Sequence, residues 1–521
     1  MEEQVSIPTA RALSGTRWPL VLPIAILLTI QCAISLPRLR APLIDARQHT
    51  TFDTAAFLRT ALHSNDPTLE DWRKVFGVSV YGYDEHDTPV SVLHYSHHGV
   101  LSPTLLRCYA KLVGHSEFTP RSYSLILSLG STILLFVLLE QATQHRGLAF
   151  GLTLLNLLSP LKYLYMDVWK YEGIVELLLL ACYLCFVQRH RHRYWRYAFL
   201  VVTFLIFHAD YPAYLPLAFV LLYLFLNRRQ PGERRLLVQG LVAAGLGLIT
   251  TLLIQFSLGL TPAAMKTNVG FRLAGGMETA SLAQFAERYL SHMLTNLGLF
   301  HIVVMVTALL WLVAAPASLK NPFVYLGSTL IVSTLVYTWT FRNATLIHHY
   351  LLWNYGSGYS LLMGGLLGEG AASRWLKTCR TPVLLLLLLP SVLATWQLAI
   401  EREESFKRTT FGTKEDIELI RSMEKRILYF TNELSGPSGW WQSPGITLYT
   451  DPIFRGGQRA RARNIMQLKQ FHPDRDVVVM MRGEQAYPRF AATLKETFGI
   501  ETLRSYTASP SFAYFTFELP R

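Results

Sequence analysis

The sequence predicts a polytopic α-helical membrane protein with about eleven transmembrane helices and a C-terminal extracytoplasmic α/β domain. Of its 521 residues, 51% are hydrophobic and only 16% are charged, whereas soluble domains carry about 25% charged residues. Long apolar runs recur through the first 400 residues, and a membrane-spanning helix needs about 20 such residues. The short connections between the runs alternate between strongly basic and weakly charged. Together these observations exclude an ordinary soluble protein.

Eleven apolar runs are candidate transmembrane spans. They lie near residues 18–36, 122–140, 148–166, 171–187, 196–209, 212–226, 236–258, 298–314, 323–340, 346–367 and 381–399.

The basic connections predict the orientation of these spans. Residues 188–196 and 227–235 contain four arginines each, Arg374, Lys377 and Arg380 separate the last two runs, and Arg11 and Arg17 precede the first. Short basic loops stay on the cytoplasmic side, and eleven spans place all of these on one side. We therefore predict a cell-membrane protein with a cytoplasmic N-terminus. The net charge of +13 is then mostly a topology signal, and no nucleic-acid partner is predicted.

This orientation divides the chain into two domains. Residues 1–400 form the transmembrane domain, including an extracytoplasmic first loop at 37–121 and a smaller, glycine-containing outer loop at 259–297. Residues 401–521 form the extracytoplasmic α/β domain. Apolar periodicity there predicts helices at 413–434, 461–471 and 487–498, and strands at 446–449, 477–481 and 512–517, the last at an edge or in a hairpin.

The five cysteines are distributed along the chain without a disulfide pattern. Cys32, Cys182 and Cys185 lie in predicted spans, Cys379 lies at the inner face, and Cys108 is in the first loop. No disulfide framework is expected from this distribution.

Ionisable residues close to a membrane are costly to keep there and often functional, and here they concentrate on the predicted outer side. Asp45 follows the first span by about nine residues. An aspartate in this position is either a helix cap or a general base held at the membrane surface, and the sequence leaves both open.

A histidine cluster lies farther along the first loop. His94, His97 and His98 precede a Gly-to-Pro stretch and a helix predicted at 104–112. Three histidines in five residues suit a metal or phosphate contact, but the same pattern marks an ordinary loop entering a helix. No acidic residue nearby has ligand spacing, so no metal ligands are predicted, although a divalent cofactor is compatible with the sequence.

The connection at 159–173 brings two acids and two lysines to the outer face. Lys162 and Lys170 either pair locally with Asp167 and Glu172, or the two acids face a polar cavity. Further polar groups lie at 208–212 and at 341–350. A transporter would place such groups near the bilayer midplane, in repeats of inverted topology, and we recognise neither feature in the sequence.

Three stretches resemble the GT-C membrane glycosyltransferases, in particular the branch of aminoarabinose and protein mannosyl transferases. The first is a span followed by the Asp45 segment. The second, residues 97–121, is similar to the family's His-Pro-Pro-Leu loop, helix and "Leu-Phe-Gly-x-Ser-Glu…Arg" entry to the next span. The third, residues 159–172, is similar to its Ser-Pro…Arg-Pro-Glu turn. Together they cover about the first 215 residues, and the remainder fits in layout only.

The resemblance implies a GT-C-like fold and transfer of a sugar from a polyprenyl-phosphate donor to a lipid, glycan or protein acceptor among the membrane lipids. It implies that Asp45 is the general base of an inverting reaction, and that Asp167 or Glu172 orients acceptor or sugar. Cations would stabilise the phosphate leaving group. The candidates for this role are His97, Lys162, Lys170, Arg272, Arg342 and His349.

Two departures from the family pattern keep alternatives open. Asp45-Ala46 replaces the frequent Asp-Glu, and His98-Gly99 replaces Pro-Pro, which we expect to loosen the loop. A catalytically idle, membrane-anchored glycan-assembly protein is therefore one alternative. A lipid or glycan transporter or flippase is another, although the almost wholly apolar cytoplasmic halves at 219–225 and 384–389 count against a polar path across the bilayer.

Overall fold

A computed structural model of the chain describes the helical bundle and part of the sheet in the tail. The described residues are 21–39, 80–83, 89–92, 99–114, 118–169, 171–230, 232–257, 262, 266, 281–342, 345, 349–368, 378–408, 427–431, 446–449, 476–482, 492, 495–496, 499, 503–507 and 512–517.

Helices account for most of the first 408 residues. They are α1 (Val21–Ser35), α2 (Leu101–Val113), α3 (Phe118–Thr143), α4 (Arg146–Leu157), α5 (Pro160–Tyr165), α6 (Tyr171–Gln188), α7 (Arg193–Ala209), α8 (Tyr214–Leu226), α9 (Glu233–Ser257), α10 (Leu282–Leu297), α11 (Leu299–Ala314), α12 (Pro322–Thr340), α13 (Asn354–Leu367) and α14 (Arg380–Arg408).

Each of the eleven predicted spans contains a helix. Among the described residues, six helices are long and apolar enough to cross a membrane, or seven if the bent pair α10 and α11 counts as one span. The shorter helices α4, α7, α8 and α13 occupy the remaining predicted spans. The count of eleven therefore stays a prediction, while a multi-pass helical membrane protein is what the structure describes.

One predicted span is interrupted. The run at 148–166 forms α4, which ends at Leu157, and the separate short helix α5. The Ser159 hydroxyl accepts a hydrogen bond from the Lys162 backbone amide at 3.3 Å, and Pro160 occupies the first turn. A serine cap followed by proline starts a new helix, which apolar composition alone does not reveal.

The outer loop predicted at 259–297 contains helix α10. This helix begins with a capping box formed by Ser281 and Gln284. It ends at Gly298, whose φ of +81° is a left-handed conformation that favours glycine. The chain then turns by 105° into α11, so a broken helix pair replaces a simple loop.

Close helix packing builds the centre of the bundle. Helices α12 and α13 approach so tightly that a Cβ on Gly327 would lie 2.3 Å from the Leu362 backbone nitrogen. Helices α3, α6, α12 and α13 supply nearly half of the buried side chains among the described residues, whereas α9 and α14 expose long rows of apolar side chains, as membrane-facing helices do.

Strands are described in the first loop and in the tail. In the first loop, β1 (Val80–Tyr83) pairs antiparallel with β2 (Pro89–Val92), a hairpin that the sequence did not predict. In the tail, five strands form one mixed sheet in the order β4-β3-β5-β7-β6. The strands are β3 (Ile427–Thr431), β4 (Ile446–Tyr449), β5 (Asp476–Arg482), β6 (Leu503–Thr507) and β7 (Phe512–Phe517).

The sheet corrects one prediction for the tail and confirms another. Residues 427–431 lie within the predicted helix 413–434 but form β3, which pairs parallel with both β4 and β5. Strand β7 pairs antiparallel with β6 and lies between β5 and β6, so of the two arrangements predicted for residues 512–517 the hairpin is confirmed. The predicted helices at 461–471 and 487–498 lie wholly or mostly outside the described residues, so the α/β class of the domain stays a prediction.

We name the two ends of the bundle by the orientation that the sequence predicts. The outer end holds the segment after α1, the start of α2 and the connection between α4 and α6. The inner end holds the α6–α7 and α8–α9 connections.

Candidate functional site

The connection between α4 and α6, residues 158–169, is the best-anchored feature of the outer end, and we call it the outer turn. The Thr395 hydroxyl on α14 donates a hydrogen bond to the Leu158 carbonyl at 2.5 Å. The Arg38 guanidinium, just beyond α1, donates to the Tyr163 carbonyl at 2.9 Å and lies 4.7 Å from the centre of the Tyr163 ring. The turn is therefore fastened to the first and last helices of the bundle.

Asp167 lies between two arginines in this turn. Its carboxylate is 3.1 Å from Arg38 Nη2 and 3.3 Å from Arg121 Nη1. The side chains of Asp167 and Arg121 are fully buried, and that of Arg38 is 11% exposed. Buried charges are tolerated when they are paired and hydrogen-bonded, and Arg38 and Arg121 together supply the opposite charge beside Asp167.

Trp169 ties the outer turn to helix α2. Its indole nitrogen donates to the Ser102 hydroxyl at 3.1 Å, and the Tyr123 hydroxyl donates to the Ser102 carbonyl at 3.3 Å. Just before α2, a Cβ on Gly99 would lie 2.0 Å from the Ala209 carbonyl oxygen. The expectation that Gly99 loosens this loop is wrong for the glycine itself, because its missing side chain permits close packing against the end of α7.

A second buried ion pair lies beneath the turn. Lys162 on α5 pairs with Glu176, which is one and a half turns into α6, and the Ser357 hydroxyl donates to the same carboxylate at 2.5 Å. The Lys162 ammonium also lies 4.7 Å from the centre of the Trp353 ring. Both charged side chains are less than 5% exposed.

These contacts exclude local pairing within residues 159–173 for Lys162 and for Asp167. Lys162 binds Glu176, and Asp167 binds Arg38 and Arg121. The carboxylate and ammonium groups of the outer turn therefore connect α1, α3, α5 and α6 rather than neutralising each other.

A small cavity adjoins the turn and shares Ser159 with it. Its volume is about 20 Å³, enough for a water molecule. His301 enters it from α11, with Nδ1 at 2.8 Å from the Leu297 carbonyl and Nε2 at 3.1 Å from the Ser391 hydroxyl. The cavity is lined by Leu155, Asn156, Ser159, Leu297, His301, Met305, Tyr355, Gly356, Tyr359, Ser360 and Ser391. Polar groups thus continue from the outer turn to the bend between α10 and α11.

The structure describes only some of the predicted site residues. Asp167 and Lys162 take part in the two ion pairs, Glu172 is buried in the first turn of α6, and Arg342 is partly exposed just after α12. His349 begins a short 3-10 turn, with its side chain outside the described residues. Four more predicted residues lie outside the described residues altogether: Asp45, His97, Lys170 and Arg272.

Three charged residues of this region were missed as site candidates. Arg38 immediately follows the first span, and Arg121 opens α3. Glu176 lies inside an apolar helix, where an acid is a functional candidate by default. The sequence places this acid within the predicted span at 171–187. Within the described part of the chain, no group of three or more His, Cys, Asp or Glu residues is arranged to hold a metal ion.

The comparisons with known proteins support a fold rather than a close relationship. No protein-family model matches the chain, and no curated protein matches its sequence. Its structure is similar to that of ArnT from Cupriavidus metallidurans bound to undecaprenyl phosphate, with a TM-score of 0.60, 12% identity, and coverage of 95% of this chain and 97% of that one. The apo structure of the same protein gives a TM-score of 0.59 at 13% identity over the same shares. The predicted resemblance to the aminoarabinose transferase branch is confirmed at the level of the fold.

Proposed function

We propose that this protein is a membrane glycosyltransferase that transfers a sugar from a polyprenyl-phosphate donor to an acceptor at the outer face, with inversion. The observation that carries the proposal is the likeness over 95% of the chain to a structure bound to undecaprenyl phosphate. The buried arginines and acids at the outer end supply a charged site in the part of the bundle where the resembling sequence stretches meet.

The proposed reaction needs a base, an oriented acceptor and support for a phosphate leaving group. The acceptor hydroxyl oxygen forms a bond to the anomeric carbon while the bond from that carbon to the phosphate oxygen breaks. The acceptor proton passes to the base, and the phosphate leaves with an added negative charge that cations stabilise.

Asp45 is the proposed base. It lies six residues beyond Leu39, the last described residue after α1, and six residues can span at most about 20 Å. Asp45 is thus tethered within reach of Arg38 and Asp167. This short tether is compatible with the Asp45 carboxylate acting beside Arg38 and Arg121.

The described contacts favour different roles for Arg38 and Lys162. Arg38 is partly exposed and can turn part of its guanidinium toward a phosphate. Lys162 is committed to Glu176 and Trp353, which favours a positioning role in place of the predicted phosphate contact. Other cations proposed for the phosphate are His97, Lys170, Arg272, Arg342 and His349.

The two acids after the outer turn also take distinct proposed roles. Asp167 is enclosed by Arg38 and Arg121, so it acts by fixing the direction of those guanidinium groups. Glu172 starts α6 near the same end and is the proposed acid that orients acceptor or sugar. The proposed acceptor is a lipid, a glycan or a protein.

Transfer by the purified protein in membranes supplied with a polyprenyl-phosphate sugar and envelope acceptors tests the proposal. We expect Asp45→Asn to reduce transfer at least about 100-fold, since a general base contributes roughly 10²–10⁴-fold. Asp87→Asn, in the same loop between β1 and β2, is the matched control and should retain activity. Full transfer by Asp45→Asn would contradict the assignment of the base, and movement of the donor lipid across the bilayer without sugar transfer would favour a transporter.

A further inference from the structure

A buried glutamate joins two short connections at the inner end of the bundle. Arg189, just after α6, donates from Nε and Nη2 to Glu233 at 3.0 and 2.8 Å. His190 Nε2 lies 2.9 Å from the same carboxylate. Glu233 begins α9 and its side chain is fully buried. The α6–α7 and α8–α9 connections are therefore held side by side.

Six further arginines at these two connections are exposed, whereas Arg196 is half-buried and donates to the Arg189 carbonyl at 3.0 Å. We call this set of six the inner arginine patch, and its members are all exposed: Arg191, Arg193, Arg228, Arg229, Arg234 and Arg235. Among the described residues of this end, the acids are Glu233, which is used as above, and Glu140, which pairs with Arg146 at 2.9 Å. The described chain therefore leaves the positive charge of the patch unbalanced.

Exposed apolar side chains begin immediately beyond the patch. Tyr194 and Tyr197 on α7 are 63% and 61% exposed, and Leu226 at the end of α8 is 64% exposed. Such residues mark the boundary between hydrocarbon and headgroups. The arginines of the patch consequently lie at the level of the lipid headgroups.

Three arginines of the patch lie at the amino ends of helices, where positive charge is unfavourable. Arg193 is the first residue of α7, and Arg234 and Arg235 are in the first turn of α9. The amino end of a helix carries partial positive charge, so basic side chains there are unfavourable. Arginines elsewhere in the connections would specify the membrane topology equally well. A bound anion, by contrast, relieves the repulsion between these arginines and the positive helix ends.

We propose that the inner arginine patch binds the phosphate headgroups of anionic phospholipids, independently of the proposed sugar transfer. A lipid headgroup is the occupant that fits, because the patch has the matching charge and lies at the boundary of the apolar surface. Each arginine near an anionic membrane surface contributes about fivefold in affinity.

Native mass spectrometry of the purified full-length protein, titrated with phosphatidylglycerol or with phosphatidylcholine of identical acyl chains, tests this proposal. We expect preferential binding of phosphatidylglycerol. Arg234→Gln with Arg235→Gln should lower that affinity at least about tenfold and leave phosphatidylcholine binding unchanged. The charge-matched control is Lys111→Gln with Lys266→Gln, two exposed lysines on the predicted outer side, and it should bind both lipids as the unmodified protein does.

Equal binding of the two lipids, or an equal loss in the lysine control, would overturn the proposal. Binding of soluble glycerol phosphate as tightly as phosphatidylglycerol would also overturn it, because the patch would then serve a free phosphate. If the Arg234 and Arg235 double variant does not fold, Arg191→Gln with Arg193→Gln makes the same test on the other connection.

Discussion

The carboxylate of Asp167 lies 3.1 Å from the guanidinium of Arg38, across 129 residues of sequence. Because Arg38 also donates to the Tyr163 carbonyl, one side chain just beyond α1 contacts both α5 and Asp167, two residues past the end of that helix. Arg121 approaches Asp167 from α3. The first loop, whose resemblance to known transferases includes Asp45, thus begins next to a fixed charge cluster.

Replacement of Asp167 should cost much of the stability of the bundle. Asp167→Asn leaves two arginines without their shared carboxylate, and removing one partner of a buried pair costs about 3–5 kcal/mol. We expect a large fall in the thermal midpoint in detergent. Glu140→Gln, which breaks the partly exposed pair with Arg146, is the control and should cost less than about 1 kcal/mol. Similar losses in the two variants would contradict the assigned burial of Asp167.

Lys162 and Glu176 should be energetically coupled. Lys162→Met and Glu176→Gln each leave one charge buried, so each should destabilise the protein by several kcal/mol. The double variant should be more stable than the sum of the two losses predicts, by roughly 0.5–3 kcal/mol. Chemical or thermal unfolding of the four proteins measures this coupling, and strict additivity would show that the pair does not form.

Two glycines offer a matched test of the helix packing. Gly327→Ala places a Cβ 2.3 Å from the backbone of Leu362, and overpacking of this kind costs roughly 1–3 kcal/mol. Gly245→Ala on α9 meets nothing within 4 Å and should leave stability unchanged or raise it slightly, since alanine favours helix over glycine. A thermal midpoint unaffected by Gly327→Ala would contradict the close contact of α12 and α13.

The predicted orientation can be measured with the native cysteines. Cys108 on α2 is exposed and Cys379 is partly exposed before α14, at the predicted outer and inner faces respectively. In variants that retain only one of them, a membrane-impermeant maleimide should label Cys108 in intact cells or spheroplasts. Cys379 should react only after the membrane is permeabilised, and the reverse pattern would invert the topology.

The positions of the helices can be predicted from the sequence because the length of an apolar run is a local property. The interruptions of those helices depend on single residues. The caps at Ser159 and Ser281 and the turn at Gly298 all have recognisable signals, yet hydrophobicity averaged over a run conceals them. In the tail, the apolar spacing that predicts a helix at 413–434 includes residues 427–431. These residues form β3 because pairing with β4 and β5 overrides local periodicity.

The chemistry of the site is less predictable than the fold because its partners are distant in sequence. Asp167 was recognisable as an acid at the predicted outer face, but its two arginines are residues 38 and 121. Local pairing was the natural alternative for Lys162, and only the helix arrangement brings it to Glu176. The sequence nevertheless shows that Glu176 lies within an apolar helix, which is a recognisable sign of a functional residue.

Mass spectrometry of cell-envelope glycolipids and glycans tests the proposed sugar transfer most directly. The comparison uses cells that have the gene, cells that lack it, and deletion cells that express Asp45→Asn. We predict that deletion removes one sugar from a defined envelope acceptor, that the unmodified gene restores it, and that Asp45→Asn does not. Envelope glycans of unchanged mass in the deletion cells would contradict the proposed transferase.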